Sequence, residues 1–214
     1  MLDEPPKPPI SLGPMPDPAY DSVWDAVFGG FCVIVLYQLC YGATVWGVAP
    51  IQRYFFGENT TLASLVFLPH GVRVLTTYFW RLRAVPVLFL AGLVGHILLN
   101  SDDFQLRAEP VIYLSVLVGA MSAFLAFEIL RLVGLNCYAH PTRPMHWKQV
   151  LLSGLVASLL NSIGQSVVYS GMVVPDQAFE TFLAFAVGDL MGLIVSLLIL
   201  LVAFRTFAPS SSAP

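Results

Sequence analysis

Five side chains stand out because their chemistry does not suit their surroundings. His70, Arg73, Asn161, Gln165 and Asp189 each lie within a long apolar stretch. Arg73 supplies a fixed cation and Asp189 an anion. His70 can take up or release a proton near neutral pH. Asn161 and Gln165 each offer amide donors and a carbonyl acceptor. An ionisable group inside a membrane helix costs roughly 3 kcal/mol on insertion scales and usually faces the bundle interior. The set therefore has the chemistry of a small-molecule ligand pocket in which Arg73 opposes Asp189. It lacks the chemistry of a catalyst, since no nucleophile is spaced to pair with a base, and an enzyme is not expected. The same residues also suit a purely structural role, with Arg73 and Asp189 as an ion pair joining two helices.

The backbone around these groups is unusual. Pro69 has no N–H and frees a carbonyl one turn earlier, and Gly71 loosens the chain further. A helix restarting there would present N–H groups beside Arg73, a weak anion site. Broken helices of this type line substrate cavities in transporters. Gly154, Ser158, Asn161, Ser162, Gln165 and Tyr169 recur at three- and four-residue steps, which puts them on one helical face. That face reads either as a pocket wall or as polar packing between helices. Ala184, Gly188 and Gly192 are spaced by four, the pattern of close helix contact. Two further ionisable groups, His96 and Glu128, also fall within apolar stretches. Glu128 stands three residues before Arg131 and suits a local ion pair. No metal site is expected at Cys137, His140 and His146, because Pro141 and Pro144 intervene and no fourth ligand is near.

Composition says what must carry these groups. Of 214 residues, 57% are hydrophobic and 11% are charged. Soluble domains carry about 25% charged residues. Each membrane-crossing helix needs about 20 mainly apolar residues. The expected fold is an all-α, polytopic membrane helix bundle of about six transmembrane helices. Its spans are read at 24–48, 61–80, 85–99, 111–135, 150–169 and 182–204. The first stops at Pro50, and the second is kinked or broken at Pro69. Residues 1–22 are proline-rich and read as a disordered cytoplasmic tail. Residues 23–205 form the transmembrane domain, and 206–214 form a second cytoplasmic tail. The layout before Val23 is wrong for a cleavable signal peptide. No basic tract suits nucleic acid, and nothing names a cofactor.

Orientation follows from the basic residues. With six spans, one side collects Lys7, Arg81, Arg83, Arg131, Arg143, Lys148 and Arg205. The other side has Arg53 and Arg107. The positive-inside rule then places both termini in the cytoplasm.

Two segments, Leu68-Pro69-His70-Gly71-Val72-Arg73-Val74-Leu75 and Val187-Gly188-Asp189-Leu190-Met191-Gly192-Leu193, carry a resemblance. The first resembles the proline-glycine helix start of the first family of bacterial membrane-associated sensor domains. The second resembles that family's Gly-Asp-x-x-Gly signature, and the order of the two is the same. The resemblance implies an all-helical module of the bacterial inner membrane, usually fused to a signalling enzyme. The chain departs from the pattern in its shorter set of spans, in the charge at Arg73 and in the few residues after Arg205. A stand-alone module acting through a membrane protein partner is the expectation. A weaker likeness is to substrate-binding subunits of energy-coupling-factor vitamin transporters.

Three readings of function follow. One is a non-enzymatic sensory or ligand-binding membrane module that uses His70, Arg73, Asn161, Gln165 and Asp189, with Pro69, Gly71, Gly188 and Gly192 shaping the backbone. The second is a subunit of a small-solute transporter with the same pocket. The third is a structural or assembly subunit of a larger membrane complex, or of an oligomer, in which the polar groups are packing devices.

Overall fold

Prolines and glycines decide where the helices of this chain begin, widen and stop. The computed structural model describes residues 23–56, 64–99, 110–142, 144–169 and 178–207, and every regular element among them is helical. The helices are α1 (Val23–Gly42), α2 (Ala49–Phe56), α3 (Pro69–Trp80), α4 (Ala84–Leu99), α5 (Pro110–Leu132), α6 (Trp147–Val168) and α7 (Ala178–Phe207). The expected tails at 1–22 and 208–214 lie outside the described residues. In a bilayer a helix satisfies its own backbone groups, so apolar runs of this length become helices whatever their intrinsic propensity.

The first apolar run does not stop at Pro50, as the sequence suggested. A π-helical stretch, Ala43–Val48, joins α1 to α2, and helix continues to Phe56. Pro50 cannot donate to the carbonyl one turn back. The wider turn changes the register just before it, and the Ala49 N–H bonds to the carbonyl of Thr44, five residues back.

The second run, expected to be kinked or broken at Pro69, is interrupted there, and a kink is not confirmed. Residues 64–68 are not helical, and α3 starts at Pro69 itself. Proline suits a first helical position, where its missing N–H is not needed. Pro69 therefore opens the helix α3. α5 ends where Gly134 takes φ 87°, and the Leu135 N–H bonds back to the Leu130 carbonyl at 2.8 Å. This is the usual left-handed helix stop that glycine allows.

Five stretches are long and apolar enough to cross a membrane: Val23–Phe55, Pro69–Leu98, Pro110–Leu132, Trp147–Val168 and Phe182–Thr206. The expected count was about six, and the expected second and third spans share the stretch Pro69–Leu98. That stretch contains Arg81, which has φ 54°. Contacts with α1 give the direction of each half. Along α3, Leu68 lies by Thr44, Arg73 by Tyr37 and Trp80 by Gly29. Along α4, Val87 lies by Gly30, Ala91 by Gln38 and Gly95 by Tyr41. Hence α3 runs antiparallel to α1 and α4 runs parallel to it.

α3 is the hub. It packs against α1, α4, α5, α6 and α7. Nine of its twelve residues are buried: Pro69, His70, Gly71, Val72, Arg73, Val74, Thr76, Thr77 and Tyr78. In α1 only Gly30, Tyr37 and Gly42 are buried, while Trp24, Phe28, Phe31 and Leu39 are exposed. A polar group on α3 therefore faces protein, whereas most of α1 offers an apolar surface suited to lipid.

Candidate functional site

The site begins with non-helical backbone. Unbonded N–H and C=O groups are costly in lipid and are tolerated only where protein covers them. Residues 64–68 meet that condition. The Leu65 N–H donates to Gln52 Oε1 at 2.7 Å, the Phe67 N–H to the Gly188 carbonyl at 2.9 Å and the Leu68 N–H to Thr44 Oγ1 at 3.2 Å. The Ser196 hydroxyl, which donates to the Gly192 carbonyl at 2.8 Å, lies 3.4 Å from the Leu68 carbonyl.

Glycines on α7 make this approach possible. A Cβ at Gly188 would strike the Ser64 carbonyl oxygen, and one at Gly192 would strike the Phe67 carbonyl oxygen. Gly71 leaves room in the same way for the side chain of Ser196. The small residues of α7 thus seat a peptide segment rather than only a second helix. Sequence spacing alone does not distinguish these two uses.

The start of α3 is not an anion site of the expected kind. The His70 N–H bonds to the Phe67 carbonyl at 3.1 Å, and the Gly71 N–H to the Leu68 carbonyl at 3.0 Å. The donors that the restart was expected to offer are used within the turn.

From there a set of polar groups links four helices, α3, α5, α6 and α7. His70 Nε2 lies 3.1 Å from the Gly154 carbonyl on α6. His70 Nδ1 lies 3.4 Å from Asp189 Oδ2 on α7. Asn161 Nδ2 donates to the same Oδ2 at 2.6 Å. Gln165 Nε2 donates to Asn161 Oδ1 at 3.2 Å and to the Ser115 carbonyl on α5 at 3.0 Å. Ser115 donates to Gln165 Oε1 at 2.8 Å, and Tyr169 donates to Ser115 Oγ at 3.2 Å. His70 is 0% exposed, Asp189 and Asn161 2%, and Gln165 5%. Burying such groups is tolerable only when they bond to one another.

Arg73 is buried beside this chain but turns away from it. Among the described residues its hydrogen-bond partner is Tyr37 Oη on α1, at 2.9 Å from Nη2. Its guanidinium carbon stands 5.2 Å from the centre of the Phe67 ring and 5.8 Å from that of Tyr37, within cation–π range. Gly119 on α5 makes room for it, since a Cβ there would lie 2.7 Å from Nη2.

Asp189 is approached not by Arg73, as a direct ion pair would require, but by His70, whose Nδ1 lies 3.4 Å from Oδ2. Helix geometry gives the reason. Residues 70 and 73 are three apart, so their side chains leave α3 roughly 60° from one another. One direction meets α6 and α7, and the other meets α1 and α5. Asp189 still acts on Arg73 through its field.

All five candidate residues are therefore buried inside the bundle: Asp189, Asn161 and Gln165 are hydrogen-bonded in series, His70 faces Asp189, and Arg73 lies alongside. Tyr37, Phe67, Ser115 and Gly119 complete the surroundings and were not singled out from the sequence. A tyrosine within an apolar span was the available signal, because a buried Tyr hydroxyl normally has a partner. Ser115 gave none, since serine is common on helix-packing faces. Ser158 and Ser162 serve packing: Ser158 donates to the Ala186 carbonyl at 2.7 Å, and Ser162 to the Ser158 carbonyl at 2.8 Å. His96 is half-buried in the last turn of α4.

At the opposite end, Glu128 accepts from Arg131 at 3.1 Å and from the Tyr138 hydroxyl at 2.8 Å. Burial, with Glu128 beside it, pushes the Tyr138 hydroxyl well above its ordinary value. Cys137 is buried, and the His140 ring contacts Thr142.

Comparison with protein-family models, curated proteins and solved structures finds no match for this chain. What the fold defines is the class: an all-helical protein whose apolar helices suit a multi-pass membrane protein.

Proposed function

We propose that this chain is a non-enzymatic sensory or ligand-binding module of the bacterial cytoplasmic membrane, acting through a membrane protein partner. The bilayer is crossed six times. The second crossing includes α3 and the third is α4, with the chain reversing at Arg81. Both termini then share the side that carries Arg81, Arg83, Arg131, Lys148 and Arg205, which the positive-inside rule assigns to the cytoplasm.

One observation carries the reading. A cation and a histidine on the short helix that touches five others are buried beside a carboxylate on α7. Such groups are costly in a membrane and usually serve function. A small anionic ligand is the chemistry that suits Arg73. Occupancy would act on α3, and α3 touches α1, α4, α5, α6 and α7, so the response reaches lipid-facing surfaces where a partner sits.

Thermal unfolding of the purified protein, screened against small carboxylates and phosphates, tests this reading. Stabilisation by one of them that disappears in Arg73→Ala, with insertion intact, is the expected result. Equal behaviour of wild type and variant sinks it.

A second reading is favoured by the contacts of Gly188, Gly192 and Ser158. These are packing devices, and they suit an assembly subunit of a larger membrane complex. Co-purification of a stoichiometric complex that survives neutralisation of Arg73 and Asp189 together would select it.

A further inference from the structure

We propose that His70 and Asp189 together form a proton-binding site, which holds one proton between His70 Nδ1 and Asp189 Oδ2. The hydrogen-bond geometry leads there. The Gly154 carbonyl can only accept, so the His70 Nε2 that faces it at 3.1 Å carries a hydrogen. In a neutral imidazole the other nitrogen, Nδ1, then presents a lone pair. Among the described residues that nitrogen has no hydrogen-bond partner, yet it faces Asp189 Oδ2 at 3.4 Å. With the carboxylate ionised, two acceptors confront each other in a site closed to water, at 0% and 2% exposure. One added proton turns this repulsion into attraction. It forms an N–H bond on His70, giving an imidazolium beside a carboxylate, or an O–H bond on Asp189, giving a neutral acid beside a neutral ring. The proton comes from a hydronium ion of the bulk solvent, whose O–H bond breaks as the new N–H or O–H bond forms.

The neighbours are arranged for this. Asn161 donates to Oδ2 at 2.6 Å and so holds the carboxylate in place in either state. Asn161 and Gln165 on α6 and Ser115 on α5 do not ionise near neutral pH, so they orient the pair without competing for the proton. The charges that act on His70 are Asp189 and Arg73. From α1, Tyr37 and Tyr41 act on Arg73. Other ionisable groups on the packed helices include Asp25 on α1, His96 near the end of α4, Glu128 and Arg131 on α5, Lys148 on α6 and Arg205 on α7, with Glu128 bonded to Arg131 and Tyr138.

Charge counting gives the proton a consequence. Without it, Asp189 offsets the charge of Arg73. With it, the His70–Asp189 pair is neutral overall and Arg73 stands as the excess charge of the cluster. Proton and anion would then favour one another's binding, a reciprocal coupling. That last step rests on the anion reading given above, whereas the proton site does not.

The test uses the full chain in lipid nanodiscs with isotope-labelled histidine. Nitrogen NMR reports the protonation of each imidazole, and infrared difference spectra report a protonated carboxyl. Both are followed from about pH 5 to about pH 9, on either side of the ordinary histidine value. Toward the acidic end the pair should hold one proton. It appears either as an imidazolium signal missing from His70→Gln or as a protonated carboxyl band missing from Asp189→Asn. A His70 that stays neutral, with hydrogen on Nε2, beside an ionised Asp189 at every pH would overturn the proposal. Should Asp189→Asn fail to fold, the wild-type and His70→Gln spectra still decide. This readout requires no ligand, so it can fail while the anion reading stands, or hold while that reading fails.

Discussion

Gly192 presents its Cα to the carbonyl oxygen of Phe67 so closely that a methyl group cannot fit between them. The obstacle is backbone rather than a side chain that could swing away. Gly192→Ala must therefore push residues 64–68 off α7, and Gly188→Ala must do the same at Ser64. Each should cost about 1–3 kcal/mol, the usual penalty for overpacking. Chemical unfolding in detergent micelles measures it. Stability equal to wild type in both variants would mean that the segment is not seated on α7.

Asn161 is the link between α6 and the Asp189 carboxylate. Asn161→Ala removes a donor to a buried charge and also the acceptor used by Gln165. A loss of about 1–3 kcal/mol is expected for groups left unbonded in this way. Ser158→Ala removes a single neutral bond to the Ala186 carbonyl. Its cost should be smaller, about 0.5–1.5 kcal/mol. The ranking of the two in one unfolding series is the check.

Tyr138 gives a pH dependence outside the membrane spans. Burial raises the folded-state value of its hydroxyl above the unfolded one, and Glu128 adds to the effect. The neutral phenol is thus favoured by the fold. Its contribution is fully present below about pH 10, the unfolded value, and is lost as pH rises beyond that point. Wild type should lose stability above about pH 10 more steeply than Tyr138→Phe. Parallel curves would show that the hydroxyl titrates alike in both states.

The long apolar runs were legible because lipid leaves the backbone one local option. The burial of His70, Arg73, Asn161, Gln165 and Asp189 was legible for the same reason, since lipid rejects such groups. What could not be read were effects of register. The π-helical turn before Pro50 shifts hydrogen bonds by one residue and carries helix past a proline. Pro69 has one composition signal for two outcomes, a kink or a helix start, and the choice was made by carbonyls and hydroxyls distant in sequence, at Gly188, Gln52 and Thr44. The partner of Asp189 depended on which of two residues on α3, some 60° apart, faced α7. Sequence depth placed both near it and could not choose.

Arg73 is held by flat groups as well as by charge. Arg73→Lys keeps the charge but not the planar guanidinium that stands over Phe67 and bonds to Tyr37. It should destabilise the protein by about 0.5–2 kcal/mol through lost cation–π contact. Tyr37→Phe combined with Arg73→Lys should cost less than the sum of the two single changes. Additive losses would separate the two residues.

The central claim is that ionisable groups from α3 and α7 meet inside the bundle, and a double-mutant cycle on His70 and Asp189 tests it most directly. His70→Gln, Asp189→Asn and the double variant are unfolded under one set of detergent conditions. Residues in contact should show a coupling of about 0.5–3 kcal/mol. Changes that add to within about 0.5 kcal/mol, as distant sites do, would contradict the meeting of these side chains and with it the buried site.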